Sequence, residues 1–456
     1  MRRDLTPYNL RVSVPAEPAK RKLLTVLGVT FGVAVLVGNT IGGGILKTPG
    51  LIAGHLPEFG PYMAVWLAGA LYALLGTNAL AELGTMVPRS GGQYVFVRHA
   101  LGDYAGLVVG WSDWISTCGT TALLSILFGE YAVGLLPELR APAVVALLML
   151  AAMTLVQWFG IRSGSTAQTI TSVLKAIAFL VLIGACFILG SQNPFKTSME
   201  VEREIPMMLG IILSLQAVIY TYDGWSAPIY FTEEIKDRGR SVPRSMFGGL
   251  LLVTALYLLV NVAFACVVPL PTLGGQNMAA ATVAQHLFGI HGDTVLRLIM
   301  VASLVSAVNS NCLMAPRVLF AMSNDGLFWR GATEVNKGGT PDVALLISSV
   351  LAAAFIVTGT FETVIAKLAF FFVANYTLSF VSLFVLRRRE PAADRPFRAW
   401  GHPVTTGIAL LASVAFLIGA VIVDVRNSLY SLILLGLSVP IFIYAKRAAA
   451  KRVVED

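Results

Sequence analysis

Val37-Gly38-Asn39-Thr40-Ile41-Gly42-Gly43-Gly44-Ile45-Leu46 lies inside the first long apolar run of a 456-residue chain. Three consecutive glycines suit a continuous helix poorly, since each costs about 1 kcal/mol of helix propensity relative to alanine. In hydrocarbon, a backbone N–H released from the helix also finds no water to bond. Either the glycines form a small-residue face packed against a neighbouring helix, or the helix breaks there. In a broken helix, free N–H groups at the start of the outer half would face an anion.

Composition places the chain in a bilayer. It is 56% hydrophobic and only 13% charged, whereas soluble domains carry about 25% charged residues. The first 22 residues are polar and basic, and no small-residue cleavage site follows the first apolar run. A cytosolic tail, not a signal peptide, is expected there. The net charge of +8 comes from arginines and lysines in short loops, so it reports orientation in the membrane and not a nucleic-acid partner. The four cysteines, Cys118, Cys186, Cys266 and Cys312, fall in apolar segments without a CxxC pair. They are expected as packing residues, not as disulfides or zinc ligands. His55, His99, His286, His291 and His402 are scattered near loops, and no nucleophile elbow, Walker loop or HExxH occurs. Neither an enzyme, a metal site nor a cofactor is expected.

About twelve spans of roughly 20 residues can be drawn, centred near Gly38, Tyr72, Ser116, Leu150, Leu180, Tyr220, Leu256, Ser306, Leu351, Ala374, Ser413 and Leu435. The third, sixth and eighth are long. Between the second and third, Pro88-Arg89-Ser90-Gly91-Gly92-Gln93-Tyr94 predicts a turn followed by a short polar helix. An N-terminus inside puts most of the 33 Lys and Arg on the cytosolic side. Arg140, Lys196, Arg203, Arg297 and Arg426 then lie outside, and Lys47, Lys175 and Lys367 within or near spans. An odd number of spans would destroy this asymmetry, so both termini are expected in the cytosol.

The sixth span carries a second irregularity, Tyr220-Thr221-Tyr222-Asp223-Gly224-Trp225-Ser226. Asp-Gly is a turn signal, and at mid-membrane a turn is tolerated only where it lines a cavity. Breaks in spans one and six divide the chain into two five-helix units, 23–190 and 206–388. A tail over 1–22 precedes them; two further helices over 402–446 and a tail over 447–456 follow. Five is odd, so the second unit enters the membrane in the opposite sense. Such an inverted repeat places a solute site where the two breaks face each other.

These residues resemble the amino acid–polyamine–organocation superfamily, most closely its L-amino acid transporter branch and bacterial relatives. The family's first-helix pattern is met by Gly38, Ile41, Gly42, Gly44, Ile45 and Pro49. Its sixth-helix pattern is similar to Tyr222-Asp223-Gly224-Trp225 followed by Thr232-Glu233-Glu234. Ala81-Glu82-Leu83, Pro88 to Gly92, and Arg317 through Ser323-Asn324-Asp325-Gly326 also match, in family order. The resemblance implies a leucine-transporter-like fold with ten core and two peripheral helices, and secondary amino-acid transport by alternating access at the plasma membrane. Two departures stand out. Gly43 replaces a frequent serine, and the loop from Leu136 to Pro142 has no cysteine through which a disulfide-linked heavy subunit could attach.

The substrate carboxylate is expected at Ile41, Gly42, Gly43 and Gly44, and its amine at the stretch Tyr220, Thr221, Tyr222, Asp223 and Gly224. By resemblance, Tyr220 is the aromatic gate. Lys175 stands where sodium-coupled relatives hold a cation and bridges toward the first helix, unless it snorkels to the interface. Trp225 and Tyr257 complete the gating and coupling set, and the Tyr257 hydroxyl is a further candidate substrate contact. An aspartate at mid-bilayer costs about 2.5–3.5 kcal/mol, so Asp223 contacts the amine, selects a cationic side chain, or caps the freed backbone; capping or gating is favoured, since Asp before Gly is a common local backbone partner. Glu82 and Asp113 are expected to pair with basic helix ends near the cytosol. Asn309 and Asn311, two apart on one helix, cannot both line a cavity. Lys47 either repels cationic substrates from the outer vestibule or snorkels upward. Apolar surroundings and a glycine floor favour a neutral, small amino acid, Lys175 disfavours sodium coupling, and exchange of neutral L-amino acids is expected. Proton symport is the alternative within transport, and an amino-acid sensor or channel the alternative outside it.

Overall fold

The computed structural model describes residues 22–193, 205–359, 361–423 and part of 425–443. The two predicted tails, Lys196, Arg203, the Lys367 side chain and the twelfth span centre at Leu435 lie outside the described residues. Among those described the chain is helical, and a parallel bridge between Leu27 and Ile235 is the one strand-like pairing. In chain order the helices are α1 (Val29–Thr40), α2 (Gly44–His55), α3 (Phe59–Met86), α4 (Gln93–Leu101), α5 (Asp103–Leu135), α6 (Pro142–Trp158), α7 (Ile161–Leu189) and α8 (Met207–Tyr222). There follow α9 (Arg238–Ala265), α10 (Leu270–Leu273), α11 (Ala279–Phe288), α12 (Gly292–Asn324), α13 (Asp342–Thr358), α14 (Phe361–Arg389) and α15 (Val404–Val423).

Six helical segments among the described residues are long and apolar enough to cross a membrane, and α1 with α2, bent by 49°, makes a seventh. Shorter apolar helices α6, α13 and the start of α15 accompany them. Each predicted span centre from Gly38 to Ser413 falls in a helix. Outward-facing Leu148, Val181 and Leu411 are exposed, as expected of a multi-pass membrane protein whose surrounding solvent is lipid.

Both interruptions are present. α1 stops at Thr40 and α2 restarts at Gly44. α8 stops at Tyr222, Asp223 turns out of the helix with φ −57 and ψ 148, Gly224 takes φ +107, and a 3-10 turn over Ala227–Phe231 resumes the path. The broken segments sit on a scaffold in which α5 packs against α12 and α6, while α1 packs against α9, α7 and α12.

Two expectations about local character change. The short helix after Pro88 is not a polar surface helix: Tyr94, Phe96 and Val97 of α4 are buried, packed against α5 and α14. Its polar residues are spent on specific partners, as when Tyr94 donates to Asp325 Oδ2 at 2.9 Å. Cys118, Cys186 and Cys312 are buried free thiols, but Cys266 is only partly buried, at the C-terminal cap of α9.

Sequence motifs far apart converge at the far end of α12. Arg317 donates to Glu234 through Nε at 2.6 Å and Nη2 at 2.9 Å, and lies 4.5 Å from the Phe231 ring centroid. Arg89 and Arg98 both pair with Asp325. Glu82 is bound by Arg387, Arg395 and the backbone N–H of Ala399. It thus ties α3 to the end of α14, the structural pairing expected for it.

Candidate functional site

Ending a helix in the middle of a membrane leaves carbonyls on one side of the gap and N–H groups on the other. The carbonyl side is satisfied by protein. Lys175 Nζ donates to Gly38 O at 2.7 Å and Ile41 O at 2.5 Å, and Ser303 adds a bond to Ile41 O at 3.2 Å. The Tyr257 hydroxyl lies 2.7 Å from Thr40 O and 3.0 Å from Thr221 O, so it bridges the two breaks. Lys175 Nζ thus supplies donors to the carbonyls that the end of α1 leaves without helical partners. Lys175 is fully buried and therefore does not snorkel. Tyr257, spent on two carbonyls, does not line the cavity.

The N–H side is left open. No side chain caps α2, and a Cβ built on Gly42 would meet nothing within 4 Å. Gly42 is therefore not a packing glycine. Gly38 is, since its Cβ would fall 1.9 Å from Gln168 Nε2. Between the breaks the fit is close: a Cβ on Gly224 would lie 2.8 Å from Thr40 N and 2.9 Å from Asn39 Nδ2. Close approach and a positive φ both demand glycine there.

A cavity of about 230 Å³ opens between the breaks. Gly42, Gly43 and Gly44 form part of its wall, and Tyr220, Thr221, Asp223 and Gly224 line it from the other break. Ile41 is buried beside it. Tyr222 turns into the core against Trp66 and Tyr257. Trp225 stacks on Tyr376 with centroids 4.8 Å apart. Tyr220 packs edge-on against Phe416 of α15. The Asp223 carboxylate is not a purely local cap: it accepts from the Tyr376 hydroxyl at 2.7 Å and faces the cavity.

Asp113 departs from its expected role. Among the described residues no basic side chain pairs with it; it accepts from Tyr230 OH at 2.8 and 2.9 Å and lines the same cavity. Its position in α5 faces the gap between helices, which loop charge could not reveal. Asn311 lines the cavity and bonds Asn39 at 3.1 Å, whereas Asn309 points away to Gln157 and Gln168. Lys47 is exposed and does not line the cavity. The surroundings are mixed, because Leu124, Ala307 and Met314 share the wall with Gln93, Ser116, Thr117, Thr120, Ser226 and Asn375. All but Ser226, which lies in the turn after α8, come from helices whose facing only packing decides. Among the described residues, no group of three or more His, Cys, Asp or Glu is arranged to hold a metal ion.

Open N–H groups on one side and carboxylates and hydroxyls on the other complement a zwitterion. The chain is similar to the b(0,+)-type amino acid transporter 1 of Homo sapiens, 26% identical over 416 residues, covering 90% of this chain and 85% of that protein. It is likewise 26% identical over 437 residues to the serine/threonine exchanger SteT of Bacillus subtilis (strain 168), covering 93% and 97%. With the Asc-type amino acid transporter 1 of Mus musculus it shares 27% over 383 residues, covering 82% and 72%. Residues 22–443 match the amino acid permease family, and the chain belongs to that family, within the amino acid–polyamine–organocation superfamily.

Proposed function

We propose that this permease exchanges L-amino acids across the plasma membrane by alternating access. The observation that carries the proposal is the cavity between two helix breaks, with uncapped glycine N–H groups on one wall and carboxylates on the other. The substrate carboxylate binds Gly42, Gly43 and Gly44, where the α2 dipole favours an anion. Its ammonium binds near Asp223 and the backbone around Gly224. Tyr220 gates the cavity, while Lys175, Tyr257 and Trp225 hold the two breaks in register. The buried Lys175 ammonium stands in for a metal ion, which favours exchange without sodium.

In the same proposal the chain has about twelve spans. Two inverted units, 23–190 and 206–388, are followed by helices over 402–446, with both termini cytosolic. The cysteine-free loop from Leu136 to Pro142 speaks against a disulfide-linked heavy subunit. Neutral amino acids, including the serine and threonine named for one relative, fit the zwitterion-binding groups.

Proteoliposomes containing the protein, empty or preloaded with unlabelled amino acid, test the proposal with a radiolabelled panel. Exchange requires uptake only into loaded vesicles. Uptake into empty vesicles driven by a pH gradient replaces exchange with proton symport, and binding without flux replaces transport with sensing.

A further inference from the structure

Away from the cavity at the breaks, α6 and α13 pack side by side and leave a groove of about 400 Å³ between them. From Leu147 to Trp158 a stripe of α6 lines one side, with the three- and four-residue spacing of a single helix face. Ser349, Val350 and Ala353 of α13 line the other. Leu155 and Val350 are exposed, so the groove opens outward to the bilayer. Its two hydroxyls are already satisfied: Thr154 donates to Leu150 O at 2.8 Å, and Ser349 Oγ lies 2.9 Å from Thr154 Oγ1. The walls otherwise offer carbon, with the Trp158 indole at one end. Such a groove is filled by hydrocarbon and not by water.

Its length and its mouth say which hydrocarbon. At about 1.5 Å per residue, Leu147 to Trp158 spans about 16 Å, roughly half of a hydrocarbon core about 30 Å thick. That is the depth of one leaflet, and the groove runs to the membrane face where α6 ends. There the turn after α6 is stitched to the loop before α13. Asn336 Nδ2 donates to Trp158 O at 2.8 Å, Thr340 Oγ1 to Gln157 O at 2.9 Å, and Ile161 N–H to Gly338 O at 3.0 Å. The backbones touch so closely that a Cβ on Gly160 would fall 2.7 Å from Gly338 Cα. This stitching brings Arg162, the second residue of α7, and Lys337 to the same mouth beside Trp158. Both cations are exposed, and neither has an ion-pair partner among the described residues. Asp342, the nearest acid at the start of α13, is turned to its own helix and accepts from Val343 N–H at 2.9 Å. Trp158 and Phe159, both exposed, add the aromatic rings typical of a membrane interface.

We infer that this groove binds an anionic glycerophospholipid, with one acyl chain between α6 and α13 and the headgroup phosphate at Arg162 and Lys337. A volume of about 400 Å³ over about 16 Å leaves a cross-section near 25 Å², whereas a helix about 10 Å across needs about 80 Å². The groove therefore encloses a chain but admits only one ridge of a helix. Basic pockets between spans on the cytosolic side suit anionic headgroups, and the orientation proposed above puts this mouth in the cytosol. The groove and its two cations are the same in either orientation, and the site does not depend on which solute is moved. Two such cations correspond to roughly a 30-fold preference for an anionic over a zwitterionic lipid.

The test titrates the full-length protein, purified in a neutral detergent, with dioleoylphosphatidylglycerol or dioleoylphosphatidylcholine. Native mass spectrometry reads the bound lipid, and thermal unfolding reads the stabilisation it brings. The phosphatidylglycerol should half-saturate at a concentration roughly 30-fold lower and raise Tm. Combining Arg162→Gln with Lys337→Gln changes only exposed side chains, so the lipid-free Tm should hold while the ratio falls to near one. Ala353→Phe and Ala151→Phe fill the groove from opposite walls, and each should abolish retention of the lipid. Equal binding of the two lipids by the wild-type protein overturns the inference without any variant. A preference that survives the double substitution overturns the headgroup assignment. Lipid retained by either groove-filling variant at an unchanged lipid-free Tm removes the acyl chain from the groove. Dimers that vanish in those variants give the groove to a second copy of the chain instead. None of these readouts involves flux, so the exchange reading stands or falls separately.

Discussion

Replacing Tyr257 with phenylalanine removes one hydroxyl and leaves the ring packed against Trp66 and Tyr222, at centroid distances of 5.9 and 5.0 Å. What is lost is the bridge to Thr40 O and Thr221 O, 2.7 and 3.0 Å away. The hydroxyl proton is shared, so the net bond amounts to about one ordinary hydrogen bond. The two buried carbonyls left behind raise the cost to about 1–3 kcal/mol. No cavity term is added, because the ring remains. In coupling terms this is about 5- to 150-fold. If the bridge exists only while the two breaks are docked, the loss appears in the KM for exchange and leaves thermal stability nearly unchanged. Tyr62→Phe is the control. It breaks the Tyr62–Asn261 bond, next to the Asn261 bond to Tyr257 O at 2.7 Å, but touches neither break. It should lower Tm with KM held. Proteoliposome exchange and thermal unfolding in detergent separate the two. A Tyr257→Phe protein exchanging with wild-type KM, or losing as much Tm as Tyr62→Phe with no kinetic change, refutes the bridge as a coupling element.

Lys175→Met leaves Gly38 O without its donor and Ile41 O with only Ser303; exchange should fall at least about tenfold, two charge-assisted bonds being lost. Wild-type exchange by that variant at every pH sampled would dispose of its coupling role. Gly224→Ala, facing a φ of +107 and contacts of 2.8 Å, should cost about 2–4 kcal/mol in strain and overpacking, seen as lost exchange or a lowered Tm. Gly43→Ser is sterically admitted, since the new Cβ would sit 3.5 Å from Met300 Cε. The folded protein should keep its Tm and change its substrate KM, so an unchanged KM would remove Gly43 from the site. Glu234→Gln strands the buried Arg317 guanidinium and should destabilise by about 3–5 kcal/mol, measured as a drop in Tm.

Local features were legible from residues alone. The glycine run and the Asp-Gly turn act within a few residues, and α1 and α8 end where those features lie. Lys175 was found through a resemblance, and in the fold its Nζ donates to the orphan carbonyls at Gly38 and Ile41. Asp113 was misjudged for a specific reason. A buried carboxylate in a mostly apolar helix looks the same in sequence whether it meets an arginine or a tyrosine. The Tyr230 partner lies 117 positions away. Gln93 carried no readable signal at all, since a glutamine opening a short helix is ordinary until its oxygen is found buried and unbonded.

Apolar run length and loop charge by themselves determined that this chain lives in a bilayer. Glycine and Asp-Gly determined where two of its helices cannot continue, because those effects are local to the backbone. Only the tertiary structure decided what the cavity is made of. Which face of α4, α5, α12 or α14 turns toward the gap depends on how the helices pack. That packing set two carboxylates and an unbonded amide beside Leu124, Ala307 and Met314 in the cavity wall.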